Sequence, residues 1–203
     1  MTESVQLTES VQLKAAQVVS KMLHPLVMPG IAFLLLGVGN RSMNVLKLGG
    51  SLLVALLFSS VTIVVYLQYL KQRGAIESTA LLKREQRISP LTFSVMSYAM
   101  GYLLLTALQA PELMRGLMFC YATNSIAVLM ITRSWKVSIH TTAIAGALVV
   151  LTYAYGLLML PFYGLIPVVA GSRIIMKRHN LLGVLSGGAI GLVMTAVQIY
   201  LFF

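Results

Sequence analysis

Three histidines, His24, His140 and His179, are the side chains of this sequence that titrate near neutrality without a perturbing environment. Two of them close short basic runs. His179 ends Ser172-Arg173-Ile174-Ile175-Met176-Lys177-Arg178-His179, and His140 ends Trp135-Lys136-Val137-Ser138-Ile139-His140. Arg173 offers a planar fork that matches phosphate oxygens in a way lysine does not. The small residues 141–146 follow His140 directly, so Ser138 and the first N–H groups of a helix starting there make a natural anion cradle. A third basic run reads Lys83-Arg84-Glu85-Gln86-Arg87-Ile88-Ser89-Pro90. Cations that hold an anion, with histidines beside them, suit histidine chemistry without a metal.

The acids support that restriction. Fifteen Lys and Arg face five acids, all glutamates (Glu3, Glu9, Glu77, Glu85 and Glu112), and the chain has no aspartate. A magnesium-dependent prenyltransferase or alcohol phosphotransferase needs several anionic oxygens on its cation, and five scattered glutamates cannot supply them. The single Cys120 excludes a disulfide framework and a cysteine-based zinc site. No cofactor is expected.

The elements that position these residues must be membrane helices. Hydrophobic residues make up 58% of the 203 and charged ones only 10%, with mean hydropathy +0.88, against roughly 25% charged in a soluble domain. A spanning helix takes about 20 apolar residues. Apolar runs predict spans at 22–39, 48–70, 91–109, 113–132, 141–160 and 182–203. A shorter piece, 162–172, becomes a seventh span if it extends through Met176, with Pro161 marking the turn before it. The fold expectation is all-α: one polytopic transmembrane bundle of six or seven spans over residues 22–203. It is preceded by an amphipathic tail, 1–21, in which the hexapeptide TESVQL occurs twice. Leu7, Val11, Val18 and Met22 fall near helical spacing there, so the tail suits a helix on the membrane surface.

With seven spans, twelve cations fall on the face of the N-terminus and three (Arg41, Lys47 and Arg115) on the other. The positive-inside rule would put the crowded face in the cytoplasm. Setting aside Lys83, Arg84, Arg87, Lys136, Arg173, Lys177 and Arg178 as anion ligands leaves five against three, so the imbalance reads as a site more than as a topology signal. The three basic runs enter that face from three different loops. Among the other polar residues, Thr123, Asn124 and Ser125 suit hydrogen bonds between helices. His24, beside Pro25, reads as structural or interfacial. Gly183, Gly187 and Gly191, at spacing four, form a ridge for close helix packing or for a homo-oligomer contact.

Ser172-Arg173, five residues and His179 resemble the third signature of the type 2 phosphatidic acid phosphatase superfamily. Ser138-Ile139-His140 resembles its second, Ser-Gly-His, and 83–90 loosely resembles its first. The resemblance covers roughly residues 71–203. It implies that His179 attacks phosphorus to form a phosphohistidine and that His140 protonates the leaving group. It implies further that Lys83, Arg84, Arg87, Lys136, Ser138 and Arg173 hold the phosphoryl oxygens, with no metal. The expected function is hydrolysis of a lipid phosphate or polyprenyl (di)phosphate by a multi-pass protein of the plasma (inner) membrane. Its partners would be the bilayer and a phosphorylated lipid, and not nucleic acid.

The chain departs from the family pattern in three places. Ile139 stands where the family has glycine, and Ser89 where it has the arginine before Pro90. Gly183 stands where an aspartate usually orients the nucleophile. An attacking imidazole needs its proton placed by a partner, and Glu85, Glu77 or a backbone carbonyl could take that part. The missing aspartate also suits an alternative, a non-catalytic relative that binds or transports an anionic lipid.

Overall fold

The computed structural model describes residues 3–39, 44–78 and 83–203, and of residues 3–9 the backbone alone. Among these residues all regular structure is helical. Helices α1 (Glu3–Met22) and α2 (Met28–Gly39) lead into α3 (Val45–Gln72), α4 (Glu85–Ala107) and α5 (Glu112–Thr132). One continuous helical stretch, Ile139–Ile175, comprises α6 (Ile139–Tyr155), a 3₁₀ segment (Gly156–Gly164) and α7 (Leu165–Ile175). The last helix is α8 (Leu181–Phe202).

Five of these are long and apolar enough to cross a membrane: α3, α4, α5, the Ile139–Ile175 stretch and α8. Six or seven separate spans were expected, and two local features account for the difference. The run 22–39 is broken by a turn at Pro25, where the His24 carbonyl accepts the N–H groups of Val27 (2.8 Å) and Met28 (3.0 Å). That leaves α2 only 12 residues long. The two runs 141–160 and 162–176 form a single helical stretch that doubles back. Gly156 takes φ 64°, a left-handed value open to glycine at little cost, and ends α6. The return arm lies against the outgoing one: Val169 packs on Ile144 and Leu148, and Thr152 Oγ1 meets Tyr163 Oη at 3.0 Å. Arg173 is thereby brought back to the level of His140.

The core is filled by Phe33, Leu105, Met114, Leu117 and Met118, all fully buried, where α2, α4 and α5 meet. The outer surface carries Leu53, Val65, Met96, Leu103, Met130 and Leu185, a pattern suited to lipid and not to water. The glycine ridge of α8 lies on the start of α6. A Cβ at Gly191 would come within 2.5 Å of the Thr142 carbonyl oxygen, and one at Gly187 within 2.5 Å of the Ser138 carbonyl oxygen. Thr123 and Asn124 of α5 bond across to Gln198 and Thr195 of α8, each at 2.8 Å, as their mid-helix positions suggested.

Helix α1 forms as the spacing in the tail predicts, but it docks with a different stripe. Ala16, Val19, Ser20 and Leu23 face inward, and Val19 and Leu23 join the cluster of Met28, Ile144, Leu148 and Val169. Val11, Val18 and Met22 point outward and are exposed.

Candidate active site

The three basic loops and the α1–α2 corner meet around one cavity of about 90 Å³. Its polar wall is made by His24, Arg87, His140, Arg173 and His179. Its apolar wall is made by Ile63 and Leu67 of α3 and Leu91 and Tyr98 of α4.

Arg87 lies in the first turn of α4 and is only 3% exposed, so its charge must be held by fixed acceptors. Its Nη1 donates to the Val137 carbonyl at 2.8 Å, and its Nη2 lies 3.5 Å from His179 Nε2. Arg84, one turn earlier, donates to the Ser134 carbonyl at 3.0 Å. The two arginines thus tie the first basic loop to the second.

His179 sits in the short loop between α7 and α8 and is buried. Its Nδ1 lies 3.1 Å from the Lys136 carbonyl oxygen. A carbonyl can only accept, so Nδ1 carries the proton and the Nε2 lone pair faces Arg87 and the cavity. Burial first, and the Arg87 charge second, push this imidazole down to about 3, so it is neutral over the physiological range. The same causes, burial first and then the charges of Arg87, Arg173 and Arg178, bring the Lys136 ammonium down to about 8.

Gly183 explains how the carbonyl comes to hold the histidine. A Cβ there would lie 2.5 Å from the Lys136 carbonyl oxygen and 3.3 Å from His179 Nδ1. Only a residue without a side chain lets the second loop approach that closely. The Ser138 N–H, donating to the Gly183 carbonyl at 2.9 Å, locks the approach. Asn180 starts α8 by accepting the Gly183 N–H at 2.9 Å, which orders the loop next to His179.

His140 lies in the first turn of α6. Its Nε2 is buried without a hydrogen-bond partner, and its ring meets that of His24 with centroids 5.1 Å apart and planes at 78°. Arg173, in the last turn of α7, is buried; its Nη1 donates to Ser20 Oγ at 2.7 Å while its Nε has no partner. A buried guanidinium N–H left unpaired is costly, and an anion in the cavity is the kind of group that would satisfy it.

The structure therefore brings together His140, His179, Arg87 and Arg173 and leaves other expected residues elsewhere. Ser138 is fully buried, its hydroxyl accepts the Thr141 N–H at 3.4 Å as the cap of α6, and it does not line the cavity. Lys136 contributes its carbonyl to His179, while its side chain lines an outer surface depression with Lys177, Arg178, His179 and Asn180. Lys83 is exposed and paired with Glu77. That pairing holds its ammonium above the usual range, but exposed pairs of this kind contribute little to stability. Glu85 is exposed beside Arg84, 3.7 Å away. Neither glutamate is the partner of His179; the Lys136 carbonyl is.

Sequence reasoning missed His24 and Ser20. The available signal was the His24-Pro25 pair, since proline there forces a corner and corners bring side chains to helix ends. The three imidazoles share a cavity, yet among the described residues no three His, Cys, Asp or Glu side chains group closely enough to hold a metal ion. No known protein family, no curated protein and no solved structure matches the chain.

Proposed function

We propose that the chain is an integral-membrane, metal-independent phosphatase acting on a lipid phosphate or polyprenyl (di)phosphate, in the manner of the type 2 phosphatidic acid phosphatases it resembles. The observation that carries this reading is the meeting of His179, Arg87, His140 and Arg173, drawn from three loops, in one cavity with apolar helix walls. We count seven passes, taking the two arms of Ile139–Ile175 separately and adding α2. The site then lies at the membrane face that also holds the N-terminus, in a plasma (inner) membrane. A lipid tail would lie between α3 and α4, along Ile63, Leu67 and Leu91.

In the proposed reaction the Nε2 lone pair of His179 attacks phosphorus. A P–N bond forms as the P–O bond to the lipid breaks, and His140 gives a proton to the departing oxygen. Arg87 and Arg173 balance the charge on the phosphoryl oxygens, which is the larger part of what phosphoryl transfer needs. Water then attacks the phosphohistidine: a P–O bond forms as the P–N bond to His179 Nε2 breaks, the water's proton passes to His140, and inorganic phosphate leaves towards Lys177 and Arg178. The Lys136 carbonyl takes the place of the usual carboxylate, since it fixes the proton on Nδ1 and leaves Nε2 as the nucleophile. That favours catalysis over the alternative of a non-catalytic anionic-lipid binder or transporter.

Purified protein in detergent, assayed for phosphate release from a panel of lipid mono- and diphosphates with EDTA present, tests the reading. Release should occur for at least one lipid and be lost in His179→Ala. Binding of those lipids with no release from any of them would overturn it in favour of the alternative.

A further inference from the structure

The geometry points to His24 as a positioning residue for the proton that His140 delivers, a role that rests on the phosphatase reading. His24 comes from the α1–α2 corner, outside all three basic loops, and yet it lines the same cavity. The corner is built to hold it. The His24 carbonyl accepts two N–H groups, and its Nδ1 accepts a third, from Leu26, at 3.2 Å. Ser60 of α3 in turn donates to the Leu26 carbonyl at 2.8 Å, anchoring the corner to the bundle. An Nδ1 that accepts must lack a proton, so the ring is held as the tautomer protonated at Nε2, with its orientation fixed.

His140 is the opposite case. Among the described residues no hydrogen bond holds its ring, and its Nε2 is buried without a partner. The edge-to-face contact with His24, at 5.1 Å and 78°, is what sets the plane of the imidazole. Rate depends steeply on such alignment, because about 1 Å of misplacement costs roughly 100-fold. The charged and titratable groups facing the pair are Arg87, Arg173 and His179. None of them offers His140 an acceptor while it is charged or already engaged, so the aim of the acid falls to His24.

The experiment exploits the leaving group. An alkyl phosphate such as short-chain phosphatidic acid needs a proton as its P–O bond breaks, whereas p-nitrophenyl phosphate expels a stable phenolate without one. General acid catalysis supplies about 100- to 10,000-fold where it is needed. His24→Ala should lower kcat/KM, which ends at loss of the leaving group, at least ~10-fold for the alkyl ester and change it less than ~3-fold for the aryl ester. His140→Ala should show the same selectivity in kcat/KM while its kcat falls on both esters, since it also takes the proton of the attacking water, and the double variant should be no worse than His140→Ala alone. His24→Asn supplies the control for folding. Its side-chain oxygen can still accept the Leu26 N–H, but it has no imidazole to set against His140, so it should match His24→Ala.

Full activity of His24→Asn on both esters, or an equal loss of kcat/KM on both in either His24 variant, would overturn the role and leave the corner as structure only. Failure of the phosphatase reading looks different: wild-type protein would then release phosphate from neither ester.

Discussion

Replacing Gly183 by aspartate places a carboxylate four residues after His179, and it should lower activity. A Cβ at this position would lie 2.5 Å from the Lys136 carbonyl oxygen and 3.1 Å from Asn180 Oδ1. Ordinary contact begins at 3.4 Å, so one of the two backbones has to move by about 0.9 Å, which is 3.4 minus 2.5. Neither moves freely, because the Ser138 N–H is bonded to the Gly183 carbonyl at 2.9 Å. Overpacking of this kind costs about 1–3 kcal/mol. Against it stand about 0.5–1 kcal/mol from removing a glycine from a helix and about 0.3–1 kcal/mol from an acid in the first turn. Burying the carboxylate beside a carbonyl oxygen adds a desolvation penalty of several kcal/mol, so the balance is unfavourable. Gly183→Ala isolates the steric part, with a net loss of about 1 kcal/mol. Because the displaced carbonyl is the one that orients His179, a shift near 1 Å predicts kcat lowered roughly 10- to 100-fold in both variants. Phosphate release from short-chain phosphatidic acid, with kcat and KM resolved and thermal unfolding in parallel, measures both effects. Activity of Gly183→Asp at or above wild type would refute the assignment of the orienting role to the Lys136 carbonyl.

Two further outcomes follow from the same geometry. Glu85→Gln should leave turnover within about twofold of wild type, since an exposed glutamate paired only with Arg84 contributes little; a loss beyond 10-fold in kcat would put Glu85 back in the site. Acid should destabilise the protein through His179. This base titrates near 3 when folded and near 6.5 when unfolded, so between those values the unfolded chain binds more protons. Stability from this group is therefore complete above about pH 6.5 and falls with pH towards 3, with a limiting slope of about 1.4 kcal/mol per pH unit. Thermal unfolding from pH 7 to pH 5 should show a smaller loss in His179→Gln than in wild type; equal losses would exclude His179 as the source.

The sequence by itself determined the class of the fold and named most of the charged and histidine side chains that line the cavity. Apolar runs of about 20 residues admit only helices in a bilayer, because every backbone polar group has to be satisfied within its own segment. The absence of aspartate argued against magnesium clusters, and the spacing Ser172-Arg173 to His179 and Ser138 to His140 singled out two of the three histidines that meet in the cavity. Those readings were local, so one chain of letters was enough for them.

What only the tertiary structure decided depends on distances between residues far apart in sequence. Sequence spacing could not choose among Lys83, Arg84 and Arg87, because only the twist of the first turn of α4 aims Arg87 inward while Lys83 turns to Glu77. It could not show that Ser138 is occupied in capping α6, or that Arg173 is brought beside His140 by a bend at Gly156. Nor could it find His24, which is 116 residues from His140 in sequence and 5.1 Å from it in space. The partner of His179 was hidden for a different reason. It is a backbone carbonyl, which every residue possesses, and it comes into reach only because Gly183 lacks a side chain to keep it away.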